Sequence, residues 1–239
     1  MIIAVQFKVS ITGDLMDTKI KTNYLFEGNT LGNIVDMLLL AFPQMNEQEQ
    51  NLALNIYRLL AKGAAVSSKQ LANTCNLPVN IIEHCLTNWP GVFFDDDNNV
   101  IGFWGLTIND THHQLVVNNK TVFAWCAFDT LFIPALLNET AHITSICPVN
   151  NEEVSLTITP DEITSDENKE IVVSFLMPDV KELSENITAS FCHYVCFFNN
   201  VSDGEQWCKK HSGTFLLPLK DAYEVGKRLN AGRYSLALI

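Results

Sequence analysis

The amino-acid sequence predicts an α+β protein: an N-terminal winged-helix-like unit, then a mixed sheet with flanking helices. Three observations lead there. Residues 46–107 run as three short helix-like segments followed by two strand-like runs around a polar turn, which is the winged-helix order. Beyond residue 108, strand-like runs recur with only a few helices between them. The composition, 47% hydrophobic and 18% charged over 239 residues, belongs to a globular chain and not a disordered one.

Residues 1–45 read as an N-terminal extension. "IIAVQFKVSI" has partial strand character, and "TLGNIVDMLLLAF" reads as an amphipathic or buried helix that Pro43 should end. Met16 is an alternative start. In residues 46–107, "NEQEQNLALNIYRLLAKG" places Leu52, Leu54, Ile56, Leu59 and Leu60 on an apolar stripe, with Gly63 as a C-cap signal. "SSKQLANTC" opens on serine N-cap residues, and "LPVNIIEHCLTNWPG" carries Ile81, Ile82, Cys85 and Leu86 at helical spacing. "VFFDDDNNVIGFWGL" then reads as two strands around a turn.

Residues 108–239 form the second unit. "HQLVVNN", "AHITSIC", "VSLTI", "EIVVSFLM" and "HYVCFFN" read as strands. The apolar run 125–137 is long enough for a buried helix, and "SDGEQWCKKH" and "LKDAYEVGKRL" read as surface helices.

Charge narrows the partners. The net charge is -12, so the surface is a poor match for nucleic acid. The helix Val79–Asn88, where a winged helix would read DNA, has no Lys or Arg, and Asp95, Asp96 and Asp97 stand at the wing tip. No apolar run is long enough to span a bilayer, and "MIIAVQFKVS" lacks the basic start of a secretory signal. A cytoplasmic location is the expectation. There the seven cysteines (Cys75, Cys85, Cys126, Cys147, Cys192, Cys196, Cys208) would be reduced thiols. None forms a CxxC pair, and "FCHYVC" is not a structural zinc spacing.

Two stretches carry chemistry. In "VFAWCAFDTLFIPALL" a thiol, Cys126, and a carboxyl, Asp129, stand three positions apart in an otherwise apolar run. On a helix they would share a face, in a pocket walled by Trp125, Phe128 and Phe132. Burial there raises both pKa values, and a raised carboxyl can serve as a general acid. The competing reading is a structural thiol with Asp129 capping a backbone N–H, and residue types alone favour it. In "SFCHYVCFF", strand alternation would put Cys192, Tyr194 and Cys196 on one face. Cys192 turned toward Asp129 would make two thiols and a carboxyl converge, a soft-metal donor set beside a proton donor. Cys196 reads more simply as a small apolar filler.

"FAWCAFDTLFIPALL", "AHITSICP", "SFCHYVCFF" and "GTFLLPLKDAYEVGKRLN", in this order, resemble the organomercurial (alkylmercury) lyases. "LLAKGAAVSSKQLANTCNLP" and "VIGFWGLTIND" resemble that family's N-terminal unit. The resemblance runs from the winged-helix unit onward, and its W-C-A-x-D-T-L-x-x-P-A-L segment is more specific than any bare cysteine spacing. It implies that residues 108–239 are the catalytic domain. Cys126 and Cys192 match the family's catalytic cysteines, Asp129 matches its catalytic aspartate, and Cys147 matches a cysteine usually read as structural.

The activity implied is protonolysis of a carbon–mercury bond, giving a hydrocarbon and Hg(II) held by Cys126 and Cys192 beside Asp129. The resemblance implies no organic cofactor. It implies low-molecular-weight thiols or a mercuric reductase to remove Hg(II), and it leaves the oligomeric state open between monomer and weak dimer. Two features depart from the family pattern: the longer N-terminus, and Cys196 where many members have another residue, often His.

Overall fold

The computed structural model describes residues 30–165 and 169–238. The strand expected in "IIAVQFKVSI" lies outside them. The first helix, α1 (Thr30–Ala41), stops just before Pro43, as a proline that cannot continue a helix requires. Next come α2 (Glu47–Leu60), α3 (Ser68–Cys75) and α4 (Val79–Asn88). Asn46 and Glu49 close a capping box at the start of α2, and Ser67 caps α3 through the Gln70 N–H. Strands β1 (Val92–Phe94) and β2 (Val100–Phe103) form the expected antiparallel hairpin. The Asp95 carboxylate accepts the backbone N–H groups of Asp97 and Asn99 and so ties the turn.

The hairpin does not end as a free wing. β2 pairs with β3 (Leu106–Thr107), which pairs with β5 (Lys120–Ala124). β5 lies beside β4 (His113–Val117), followed by β6 (Ala141–Ile146), β7 (Glu153–Ile158) and β8 (Ile163–Ser165). These strands make one eight-stranded sheet. A three-stranded sheet holds β9 (Val172–Leu176) between β10 (Phe197–Phe198) and β11 (Thr214–Pro218).

The α+β class holds, with one correction: every strand pairing among the described residues is antiparallel, not mixed. Within the large sheet the reason is short connections. Asn118 and Asn119, both at positive φ, turn β4 directly into β5, and a turn that tight joins only antiparallel strands.

A second correction concerns "HYVCFFN". Only Phe197 and Phe198 are strand; Cys192–Tyr194 form a 3₁₀ turn. The Ser174 hydroxyl of β9 donates to the Tyr194 carbonyl at 2.7 Å and accepts the Cys196 N–H at 3.0 Å. The Ser174 N–H also donates to the Cys196 carbonyl at 2.9 Å, while its hydroxyl takes the Cys196 N–H, and regular strand register starts at Phe197. The helix α6 (Val180–Ser190), kinked at Asn186, precedes this turn and was not anticipated from the sequence.

The apolar run becomes α5 (Ala127–Leu137), buried along nearly its whole length. It packs against α8 (Leu219–Arg233), which follows α7 (Val201–Lys210) and β11. Asn230 of α8 donates to the Phe132 carbonyl of α5 at 2.9 Å. Gly226 is what lets the helices approach: a Cβ there would lie 3.0 Å from Phe132 Cβ. No helix among the described residues is long and apolar enough to cross a membrane.

Gly226→Val should force α5 and α8 apart and destabilise the fold by about 1–3 kcal/mol, the usual cost of overpacking. A urea midpoint unchanged from wild type would contradict this account of the helix contact.

Candidate active site

The start of α5 differs from a plain helix face. Cys126 is the N-cap residue, with extended backbone (φ −149°, ψ 172°), and Asp129 is the third helical residue. The Cys126 N–H donates to Asp129 Oδ2 at 3.0 Å. The Cys126 sulfur faces the Asp129 N–H in return, completing a reciprocal capping box. So the two side chains do meet, through a cap and not through a shared helix face. The Asp129 carboxylate also caps a backbone N–H, which is the bland role residue types had favoured; cap and cluster are built from one residue.

Cys192 reaches the pair from the 3₁₀ turn. The Ala127 N–H donates to the Val195 carbonyl at 3.1 Å, and the Val195 N–H to the Cys192 carbonyl at 3.2 Å. These bonds seat the turn on the helix start. The ligand atoms of Cys126, Asp129 and Cys192 all lie within 4.8 Å of one another, and all three residues are buried.

The floor beneath Asp129 is Gly105. Its φ is +100°, and a Cβ there would lie 2.5 Å from Asp129 Cγ. Only glycine tolerates both the left-handed backbone and that approach. The Trp125 N–H donates to the Gly105 carbonyl at 2.9 Å, so the floor is pinned to the residue before Cys126. The Trp104 carbonyl, one residue earlier, accepts the Tyr57 hydroxyl at 2.7 Å.

Burial governs the electrostatics. It pushes the Asp129 carboxyl up to about 6, against lowering by the Cys126 thiol, the Cys126 N–H and the Arg233 charge. Burial likewise pushes the Cys126 thiol well above its ordinary range, helped by its hydrogen bond with Cys192 and the Asp129 charge. For Cys192 the largest single effect is the Cys126 hydrogen bond, which lowers it; burial and the Asp129 charge outweigh that, and the net direction is up. The site therefore holds two protonated thiols around a carboxyl that ionises near neutrality.

Known proteins similar in sequence to this chain share a name. A family model described as alkylmercury lyase (MerB) matches residues 106–231. The alkylmercury lyase of Staphylococcus epidermidis is 36% identical over 176 residues, covering 74% of this chain and 80% of that one. The alkylmercury lyase of Bacillus cereus is 37% identical over 179 residues, covering 75% and 80%. The chain belongs to the alkylmercury lyase family. It is a lyase that cleaves the carbon–mercury bond of organomercurials. A solved chain described as the mercury-bound form of MerB2 shares the fold, with a TM-score of 0.70 over 84% of this chain and 98% of that one at 21% identity.

In this lyase the expected wall residues divide. Trp125 packs edge-on against Phe93 of the hairpin, with ring centres 5.1 Å apart. Phe128 packs on Phe132 and on Phe175 of β9, at 5.3 and 5.1 Å. Cys196 stands outside the cluster of Cys126, Asp129 and Cys192. Burial pushes its thiol up to about 12, and the next cause is the charge of Cys147. Sequence reasoning missed Gly105, Tyr57 and Arg233. The run "FWGL" gave one signal, a glycine amid bulky apolar residues.

The folded lyase holds the Asp129 proton more tightly than the unfolded chain does. This group therefore weakens the fold as pH rises from 3.8 to about 6, and weakens it fully above that. Asp129→Asn keeps an oxygen for the Cys126 N–H and removes the buried charge. It should raise unfolding free energy near pH 8 by about 1–3 kcal/mol and change it little near pH 4. Urea melts at the two pH values check this; equal shifts at both would contradict it.

Proposed function

We propose that the lyase works by protonolysis, with Cys126 and Cys192 as the mercury-binding thiols and Asp129 as the group that moves the proton. One observation carries this reading: two buried thiols and a buried carboxyl within 4.8 Å of one another. Holding a soft ion needs only the thiolates. A carboxyl titrating near 6 among them adds a proton carrier, which breaking a carbon–mercury bond requires.

The substrate arrives as R–Hg⁺. The thiolate is the ligand and nucleophile form, yet burial keeps both thiols protonated. A base must therefore take a proton as sulfur binds mercury. Asp129 is mostly ionised at neutral pH and is hydrogen-bonded to the Cys126 thiol. It takes the Cys126 proton as the Cys126–Hg bond forms. Cys192 then loses its proton to solvent and binds the same mercury, and the added electron density weakens the C–Hg bond. Asp129 returns its proton to the carbon, and the C–Hg electron pair becomes the C–H bond. In sum, R–Hg⁺ and two thiols give RH, Hg(II) on two thiolates, and one proton released.

Both electrons of the new bond come from the old one, so the reading needs no organic cofactor. The dithiolate product holds Hg(II) tightly. Low-molecular-weight thiols or a mercuric reductase would remove it, in a reducing cytoplasmic setting. Residues 46–107 serve as a structural module that supplies Gly105, and residues 108–239 supply the reacting groups.

Cys126→Ser, Cys192→Ser and Asp129→Asn should each lower benzene release from phenylmercury, in excess thiol, by about 10²-fold or more. Headspace gas chromatography reads this, and Asp129→Asn at full rate would overturn that residue's role. For wild type, kcat/KM should fall about tenfold per unit below pH 6, where the Asp129 carboxylate is lost. A profile flat from pH 7 to pH 5 would contradict Asp129 acting first as a base.

A further inference from the structure

Two formally charged side chains are buried among the described residues: Asp129 and Arg233, 8% and 7% exposed. Arg233 ends α8, and the last turn of that helix brings it against Trp104, the residue before Gly105. Its guanidinium carbon lies 3.9 Å from the Phe42 ring centre and 4.1 Å from that of Trp104. The Tyr234 ring is 5.4 Å away. Arg233 Nε and Nη2 have no hydrogen-bond partner. No ion pair within 4.0 Å joins Arg233 to Asp129, yet its charge acts on Asp129, Tyr57 and Tyr234. Besides Arg233, the titratable groups that act on Asp129 or feel its charge are Cys126 of α5, Cys192 of the 3₁₀ turn and Tyr57 of α2.

A cation stripped of water and left without a carboxylate in contact is costly. Stacking on two aromatic faces returns part of that cost, but an apolar side chain would fill the space with no cost at all. The charge itself needs a reason, and the reaction proposed above supplies one. The site is neutral only while Cys126 alone holds R–Hg; at the other three stages it carries one negative charge. Before substrate it rests on Asp129. Once both sulfurs hold R–Hg and Asp129 holds the proton, it rests on the mercury–sulfur centre. After the proton reaches carbon it is back on Asp129. A guanidinium in direct contact with Asp129 would favour the first and last stages and trap the charge there. One held away from contact, in a low-dielectric interior, balances both positions.

We propose that Arg233 is a positioning residue of the lyase: seated against the edge-on pair Phe42 and Trp104, it supplies the fixed positive charge that balances a negative charge moving between Asp129 and the mercury–sulfur centre. Arg233 touches no reacting atom and acts through the field and through the Trp104–Gly105 floor. This rests on the roles proposed for Cys126, Cys192 and Asp129.

The test compares the full-length wild type with Arg233→Met and Arg233→Lys. Methionine keeps length and aromatic contact without charge, and lysine keeps the charge. Four quantities are measured: kcat and KM for benzene release from phenylmercury, Hg(II) bound per chain, and the far-ultraviolet circular dichroism spectrum. Arg233→Met should keep the native spectrum and a single equivalent of bound Hg(II), and lose about tenfold or more in kcat with KM little changed. Arg233→Lys should recover most of the rate.

The proposal is overturned if Arg233→Met retains the wild-type kcat. It is equally overturned if Arg233→Lys falls as far as Arg233→Met, because the residue is then only a packing element. Should Arg233→Met not fold, Arg233→Gln against Arg233→Lys makes the same comparison, with the same two overturning results. A wild type that binds Hg(II) but releases no benzene would sink the protonolysis reading itself, which separates that failure from this one.

Discussion

The structure turns on a carboxylate kept out of water at the first turn of a helix. Asp129 is 8% exposed, and burial is the largest influence on its ionisation. Three features make the position tolerable. It accepts the Cys126 N–H, one of the donors a helix start leaves unpaired. It lies at the positive end of the α5 dipole. It also feels the Arg233 guanidinium without touching it. None of these removes the desolvation cost, so a carboxyl near 6 results instead of an ordinary one near 4. Under the proposed mechanism, that cost accompanies a group that both takes and gives a proton near neutrality.

The remaining elements serve that position from widely separated parts of the chain. The turn after β2 gives Gly105, whose missing Cβ leaves room for the carboxyl. The start of α5 gives Cys126 as a cap. The 3₁₀ turn gives Cys192, fixed by the Ala127–Val195 hydrogen bond and by Ser174 of β9. The end of α8 gives Arg233, carried there by close packing of α8 on α5 at Gly226. A site on rigid elements, each pinned by backbone bonds, holds its geometry better than one on loops. Under the proposed mechanism, such a site would protonate the carbon bound to mercury where bulk water does not compete.

Much of this was legible in the sequence, for definite reasons. Apolar spacing and the Gly63 stop signal marked α2, serine caps marked α3, and strand-like runs marked β4, β6 and β7. Cys126 and Asp129 were legible because a thiol and a carboxyl stand out in an apolar run. Cys192 joined them through family resemblance, since no local periodicity reports a contact across so long a stretch of chain. The strand expected through Cys192 failed because Cys192–Tyr194 close a 3₁₀ turn and a Ser174 hydroxyl from another strand takes the Tyr194 carbonyl and the Cys196 N–H. No local sequence signal shows that. Arg233 was invisible for a similar reason: it lies beyond "LKDAYEVGKRL", which reads as a surface helix, and only tertiary packing buries it.

The central claim is that the hydrogen added to carbon is a proton passed from the site, with the C–Hg electron pair retained in the new bond. A single turnover of phenylmercury by the lyase in D₂O, with thiols and carboxyl pre-exchanged, tests it most directly by mass spectrometry of the released benzene. The account predicts benzene bearing one deuterium. Unlabelled benzene would mean that the hydrogen came from a non-exchangeable C–H donor, and would contradict protonolysis by the Cys126, Asp129 and Cys192 site.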